Sequence, residues 1–337
     1  MKIEQDELEV IGGIRHGKTL GSPVAIVIRN TEAEKWSRPM SVEPVDDPVG
    51  TVTRPRPGHA DLPGMIKYDT EDARDVLERA SARETAARTV AGYLARTLLG
   101  ECGIQVRSHV VAIGGITASS EVTQLSDLDG VDDDPVRCLD PAASAKMVEL
   151  IDRMTEEKDT LGGVFEVLGF GLPIGLGSYV HYDRRLDANL ASAMMSIPAI
   201  KGVEVGDGFS VAARPGSSAH DEIIREDGAI LRATNRAGGT EGGVSNGEIL
   251  RVRAAMKPIS TLMQPLRTVD MATGEDASAV RERSDVCAVP AAAVVGEQMV
   301  SWVVANELVA KFGGDTVGDV AGAVDSYRRR VASRIER

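Results

Sequence analysis

A short run of arginine, histidine and aspartate is the first part of this sequence whose residue types could do chemistry. Residues 53–62 read T-R-P-R-P-G-H-A-D-L, which places Arg54, Arg56 and His59 close together in the chain. The intervening prolines fix φ and disfavour helix, so we predict a stiff, extended loop. Such a loop presents guanidinium groups to an anion beside an imidazole that can transfer a proton. A surface loop whose charges are only solvated is the alternative.

Three later segments carry groups of the same chemical kinds. Arg79, Ser81 and Arg83 fall within one predicted helix, where the two arginines would share a face; ion pairs with nearby glutamates explain them more simply. Residues 234–247, T-N-R-A-G-G-T-E-G-G-V-S-N-G, either bring backbone N–H groups close to a ligand or form a surface loop. Residues 257–261, K-P-I-S-T, offer an ammonium group and two hydroxyls to a phosphate.

The composition restricts the class of protein. The chain has 337 residues, of which 42% are hydrophobic and 26% charged, as in an ordinary globular protein. The formal net charge of -13 argues against general affinity for nucleic acid or an anionic membrane surface. The three cysteines lack metal-ligand spacing, and no stretch has the length and apolarity of a signal core or membrane span. We therefore expect a soluble cytoplasmic protein with no nucleic acid or membrane partner.

Hydrophobic periodicity predicts the elements that must position these residues. The strands are expected at 7–14 and 23–28 as a hairpin, then at 104–116, 162–171 and 249–256. The helices are expected at 70–98, 141–158, 186–195 and 290–312, with a short charged helix from 316 onward. Strand pairs separated by helices predict an α+β protein, with residues 1–337 forming a single domain.

Taken in order, six of the motifs resemble those of chorismate synthase. They are R-P-G-H-A-D, R-A-S-A-R-E-T-A-A-R, K-G-V-E-V-G-D-G-F, A-G-G-T-E-G-G-V-S-N-G, K-P-I-S-T and R-S-D-V-C. The resemblance implies a β-α-β sandwich, with a helical layer between antiparallel sheets, assembled as a homotetramer. It also implies 1,4-anti elimination of phosphate from 5-enolpyruvylshikimate 3-phosphate to give chorismate, the last common step of aromatic amino acid biosynthesis. The family requires reduced FMN for this step, with NADPH or an outside donor as the reductant.

The resemblance implies a role for each matching residue. His59 and Asp285 are the catalytic residues, with His59 beside the flavin and Asp285 working with flavin N5 to remove the C6 proton. The substrate-binding residues are Arg56, Ser81, Arg83 and Arg283. The flavin-binding residues are Arg79, Ala80, Ser81, Pro198, Ala199, Gly242, Lys257, Pro258, Ile259, Ser260, Thr261 and Arg283. No metal site is implied, and Arg54 receives no role.

Two departures from the family pattern qualify the resemblance. Pro198 stands where many members have an amide side chain. The family's N-terminal G-E-S-H-G segment, with the glycine- and arginine-rich loop after it, has no match, and residues 1–4 correspond to the positions immediately after that loop. We therefore expect an N-terminally truncated chain, or one whose start codon is placed too late, with severely reduced activity as written.

Two other function classes compete with this interpretation. A truncated, non-catalytic remnant would bind flavin or anions without turnover. A histidine-dependent hydrolase or metal enzyme is set aside, because the other four histidines, His16, His109, His181 and His220, show no ligand spacing.

Overall fold

Helices and antiparallel strands occur together throughout the chain, which makes this an α+β protein, as predicted. The structure is a computed structural model that describes residues 6–30, 33–45, 50–226, 228–282 and 284–335. The described α-helices are α1 Ala33–Trp36, α2 Asp61–Tyr68, α3 Arg74–Ala80, α4 Glu84–Glu101, α5 Pro141–Glu157, α6 Leu186–Met195, α7 Gly216–Ala219, α8 Val289–Phe312 and α9 Val317–Ile335. Single 3-10 turns lie at Leu125–Leu128, Val131–Asp133, Tyr182–Arg184 and Gly208–Ala213.

The strands are short except in one sheet. The described strands are β1 Glu7–Gly12, β2 Ile14–Arg15, β3 Lys18–Thr19, β4 Ala25–Arg29, β5 Gln105–Ile113, β6 Ile116–Thr117, β7 Gly163–Phe170, β8 Ile200–Val205, β9 Ile223–Glu226, β10 Ala229–Arg232, β11 Thr240–Glu241, β12 Val244–Ser245, β13 Leu250–Met256, β14 Arg267–Val269 and β15 Asp276–Ser278. The chain forms two compact units, the first of Met1–Ala87 with Ser260–Asp285 and the second of Arg88–Ile259 with Val286–Arg337. That all 337 residues act as one domain stays a prediction.

The first unit begins with the predicted hairpin. Strands β1 and β4 pair antiparallel, with Glu7 opposite Arg29. Between them, β2 and β3 form a smaller hairpin whose two turn residues, His16 and Gly17, have φ of 51° and 75°. Positive φ at both turn positions is the geometry that matches the twist of paired strands, so a two-residue turn suffices here.

The long helix predicted at 70–98 is wrong in two respects, because it begins only at Arg74 and because the structure divides it into α3 and α4. Ser81 follows α3 with ψ of 138°, an extended conformation. Its hydroxyl accepts a hydrogen bond from the N–H of Arg83 at 3.3 Å, a local bond that competes with helical pairing. Arg79 and Arg83 therefore do not share one helical face.

The second unit is built on a five-stranded antiparallel sheet in the order β6-β5-β7-β13-β8. Helix α8 packs on β5 and β7, and α6 packs on β8 and on α8. The approach of α8 is close: a Cβ added at Gly296 would lie 2.5 Å from the ring of Phe165, which is fully buried in β7. Because α8 is apolar on all sides, it lies in the interior, where most of its residues are buried.

The helices predicted at 141–158, 186–195 and 290–312 match α5, α6 and α8 within one residue at each end. Helix α9 begins one residue after the predicted start at 316, but with 19 residues it is longer than the short helix expected. For α5, the reason is local: Asp140 accepts hydrogen bonds from the N–H groups of Ala142 and Ala143, and Pro141 follows at the first helical position. Among the described residues, no helix combines the length and the apolarity that crossing a membrane requires.

Candidate active site

The loop at residues 53–57 is held extended by chain segments that lie far away in sequence. The carbonyl of Thr53 accepts from the N–H of Met271 at 2.8 Å. The carbonyl of Pro55 accepts from the hydroxyl of Thr268, on β14, at 2.7 Å. Since a proline has no N–H to donate, carbonyl acceptance is the way in which its backbone can pair with a neighbour. The loop expected from sequence is present, its stiffness stays a prediction, and its hydrogen-bond partners come from the other chain segment of the first unit.

Three polar side chains, Arg56 in this loop, His59 just after it and Asp61 at the start of α2, form a buried group. The guanidinium of Arg56 donates through Nε to Oδ2 of Asp61 at 2.8 Å and through Nη2 to Oδ1 at 3.0 Å. Nδ1 of His59 lies 2.5 Å from Oδ1 of the same carboxylate. Nη1 of Arg56 donates to the hydroxyl of Thr261 at 2.9 Å and lies 3.6 Å from Glu282. The side chains of Arg56 and Asp61 are 5% and 1% exposed, and that of His59 is 17% exposed.

The electrostatics of this group keep the aspartate ionised. Burial alone would raise the pKa of Asp61, but the hydrogen bonds from His59 and Arg56 outweigh it and hold the pKa well below its usual range. A buried carboxylate in this state stabilises a guanidinium on one side and an imidazole N–H on the other. The arrangement can therefore hold a proton on His59 in a fixed orientation.

Of the two arginines near the α3–α4 break, Arg83 has side-chain and backbone partners within the first unit. Arg79 and Ala80 are the last residues of α3, and Ser81 follows them. Nη2 of Arg83 donates to Oδ1 of Asp6 at 2.8 Å and lies 3.3 Å from a backbone carbonyl of β4. A bound anion would compete with Asp6 for this guanidinium.

The predicted site residues at the end of the first unit are partly described. Asp285 is half-buried, and its carbonyl accepts from the hydroxyl of Ser284 at 3.3 Å. Arg283, predicted to bind substrate and flavin, lies outside the described residues. Ser260 and Thr261 belong to the first unit, where Thr261 is buried against Arg56.

In the second unit, the residues around Ala199 meet the end of β13. Ala199 has φ of 67°, in the left-handed region. Its carbonyl accepts from the N–H of Lys257 at 2.9 Å, and Pro198 precedes it in a half-buried turn. The structure thus brings together three of the predicted flavin-binding positions.

The remaining predicted flavin positions of the second unit are shaped by close backbone approaches. The carbonyl of Ile259 accepts from the hydroxyl of Thr160 at 2.8 Å. A Cβ at Gly162 would lie 2.8 Å from the nitrogen of Pro258, so this backbone stands directly against β7. Gly242, between β11 and β12, has φ of 60°, and a Cβ there would meet nothing within 4 Å. The turn therefore presents open backbone.

Two acidic residues beside Arg56, one inside the buried group and one next to it, were not predicted from the sequence. Asp61 lies within the R-P-G-H-A-D motif but received no role, although its position two residues after His59 was a usable signal. Glu282 carried no such signal, because its approach to Arg56 depends on how distant segments meet.

Comparison with known proteins places this geometry in a family. The family model described as chorismate synthase matches residues 1–309. The chain belongs to the chorismate synthase family. A chorismate synthase from Leifsonia xyli subsp. xyli is 56% identical over 343 residues, which cover 99% of this chain and 85% of that protein. One from Acidothermus cellulolyticus is 58% identical over 336 residues, which cover 97% and 86%.

A solved structure supports the same assignment. It is described as the crystal structure of chorismate synthase, is 39% identical, and superposes with a TM-score of 0.78 over 97% of this chain and 85% of that one. The chorismate synthase resemblance predicted from the six motifs is therefore confirmed.

Proposed function

We propose that this chorismate synthase family member is a lyase that converts 5-enolpyruvylshikimate 3-phosphate to chorismate and phosphate. The observation that carries the proposal is the family match over residues 1–309, which includes the buried group of Arg56, His59 and Asp61. In this 1,4-anti elimination the C–O bond to phosphate breaks, the C6 proton leaves, and the electrons of the C–H bond complete the new diene. No net oxidation or reduction takes place.

Binding of the substrate requires cations, since it carries two carboxylates and a phosphate. A chain with net charge -13 must gather arginine locally for this purpose. Arg83, Arg56 and Arg283 are proposed to supply it. Arg83 would give up its hydrogen bond with Asp6 to bind a substrate oxyanion. Arg56 would likewise give up its longer contact with Glu282.

We propose that reduced FMN binds as the cofactor, and the residues present fit such a group. The donor set at 257–261 combines an ammonium with two hydroxyls, which suits a phosphate. The open backbone at Gly242 leaves room for a flat ring to approach main-chain atoms. When bound, reduced FMN supplies an electron-rich ring that stabilises electron deficiency as the C–O bond breaks.

Arg79, Ala80, Ser81 and Pro198 complete the proposed flavin contacts, and Ser81 is also proposed to contact substrate.

Proton movement is assigned to His59 and Asp285. His59 is held by a buried carboxylate and remains partly exposed, so it can exchange a proton with a bound molecule. Asp285 is half-buried and is proposed as the chain's own basic group for removal of the C6 proton, beside the position where the flavin would be held.

The cellular location, the oligomeric state and the source of reduced flavin are also part of the proposal. The three cysteines are free thiols, which supports a cytoplasmic location. We propose a homotetramer, and either NADPH or an outside donor as the source of reduced flavin.

The proposal is tested by anaerobic turnover with reduced FMN, following chorismate formation and phosphate release. We expect His59→Gln to lower kcat by about 10²-fold or more, because proton transfer by a positioned side chain contributes on that order. His181→Gln, at an exposed histidine, is the matched control and should retain wild-type turnover. Flavin binding without any chorismate formation by the wild-type chain would favour the non-catalytic remnant instead.

A further inference from the structure

In the proposed function the buried carboxylate of Asp61 only holds His59, and which ring nitrogen of His59 carries the hydrogen is left open. We infer that Asp61 is a positioning residue that fixes the hydrogen of the neutral His59 ring on Nδ1 and leaves Nε2 to exchange a proton with bound substrate or flavin. The inference rests on the proposed function for its catalytic meaning, but the tautomer it assigns can be observed without turnover.

The carboxylate of Asp61 is held so that it cannot easily turn or take up a proton. Oδ2 accepts from Nε of Arg56 at 2.8 Å and from its backbone N–H at 3.0 Å. Oδ1 accepts from Nη2 of Arg56 at 3.0 Å and faces Nδ1 of His59 at 2.5 Å. These four partners fill the lone-pair positions that a carboxylate offers. Since an ionised carboxylate only accepts hydrogen bonds, Nδ1 of His59 must carry the hydrogen.

Arg56 also contacts the imidazole ring of His59. Its Nη2 lies 3.1 Å from Nδ1 and 3.5 Å from Nε2 of His59. The two ring nitrogens point in different directions within the ring plane. A donor that lies near both of them, as Nη2 does, is therefore aligned with neither. Arg56 is held there by Thr261 and Glu282. The in-plane direction of Nε2 therefore stays available to a ligand.

A second group of a carboxylate, an arginine and a histidine provides an internal comparison. In the sheet of the second unit, Glu166 accepts from Nε of Arg253 at 2.7 Å and lies 3.1 Å from Nε2 of His109. His109 is 2% exposed, and among the described residues its Nδ1 has no hydrogen-bond partner. By the same reasoning His109 carries its hydrogen on Nε2, the opposite tautomer, and is sealed from ligands. It is a structural histidine.

The experiment is ¹⁵N NMR of the intact protein labelled at its five histidines, recorded at a pH where the rings are neutral. We expect one ring with the Nδ1–H pattern, and that signal should disappear in His59→Gln. In Asp61→Asn, the amide must turn its oxygen to Arg56 and its NH₂ to His59, so His59 should switch to the Nε2–H pattern. Glu166→Gln is the matched control and should leave the His59 signal unchanged.

Turnover supplies an independent readout. If Asp61 acts through His59, Asp61→Asn should lower kcat by about 10²-fold, on the order of a positioned proton-transfer group, and the double variant with His59→Gln should be no slower than the slower single variant. Multiplying effects would overturn the inference. So would an Nε2–H pattern for His59 in the wild type, which decides the matter even if Asp61→Asn does not fold. A wild type that shows the Nδ1–H tautomer but makes no chorismate would defeat the proposed function and leave the positioning geometry standing.

Discussion

At the scale of single residues, buried carboxylates organise the charges of this acidic chain. Asp61 and Glu166 each hold an arginine and a histidine, and Glu297 in α8 pairs with Arg96 and accepts from Ser108. Removing one partner from such a group strands a buried charge, which costs more than the pair itself contributes. These positions are therefore the sensitive ones, whereas exposed ion pairs are worth little.

Asp61 should make folding stability depend on acidity. Its pKa is lowered in the folded state from the ordinary value of 3.8, so its contribution is complete above that value and is lost as the pH falls below it. At pH 7 we expect Asp61→Asn to lower the free energy of unfolding by about 3 kcal/mol, on the order found when one partner of a buried pair is removed. The difference from wild type should shrink toward pH 3. Urea unfolding at pH 7, 5 and 3 measures it.

The control is an exposed aspartate in the same unit. Asp276 lies 3.4 Å from Arg267, and both side chains are more than 80% exposed, at 84% and 89%. Asp276→Asn should change the free energy of unfolding by no more than about 0.5 kcal/mol at any of these pH values. A pH-independent effect of Asp61→Asn would contradict the ionised state assigned to Asp61.

At the scale of elements, contact between helices α4 and α8 depends on a missing side chain. A Cβ at Gly92 in α4 would lie 2.3 Å from Cβ of Gln298 and 2.5 Å from its carbonyl oxygen in α8. The backbone oxygen cannot move aside without displacing α8, which is packed on the central strands. Gly100, in the last turns of the same helix, has nothing within 4 Å of such a Cβ.

These two glycines make a matched pair of variants. We expect Gly92→Ala to lower the free energy of unfolding by about 1–3 kcal/mol, the usual cost of overpacking. Gly100→Ala should leave it unchanged or raise it by up to about 1 kcal/mol, because alanine favours helix over glycine. Urea unfolding followed by far-UV circular dichroism compares them. Equal effects at both positions would mean that α4 and α8 are not packed at this distance.

At the scale of the whole molecule, the charge must be reconciled with anionic ligands. The chain carries 38 basic and 51 acidic residues, yet its proposed substrate and cofactor are both anions. The net negative charge provides no long-range attraction for these anions. Local groups such as the one at Arg56 must therefore supply the attraction.

The proposed homotetramer is a property of the whole molecule and is tested directly. Light scattering coupled to gel filtration should give four times the chain mass of 35.7 kDa. Dilution toward nanomolar concentration, with and without FMN, would show whether the assembly is obligatory. A monomeric mass at micromolar concentration would remove the tetramer from the proposal.

The local sequence pattern was sufficient to predict much of the fold. The helices at α5, α6 and α8 and the N-terminal hairpin were predicted because caps, prolines, turn residues and apolar periods act within a few residues. The predicted single helix from residue 70 was wrong because a side-chain hydrogen bond at Ser81 replaced helical pairing, and the predicted apolar stripe, from Ala87 to Leu98, lies entirely within α4.

The sequence by itself determined the family, the chemical types at the candidate site and the absence of helix and strand from the proline-containing segment before His59. Only the tertiary structure decided which partners each of these side chains contacts. Thr261 and Glu282 reach Arg56 from the other chain segment of the first unit, and Asp61 closes on His59 only when Arg56 is held beside both. The physical reason is that spacing along the chain controls backbone conformation, whereas burial and long-range pairing control charge, tautomer and orientation.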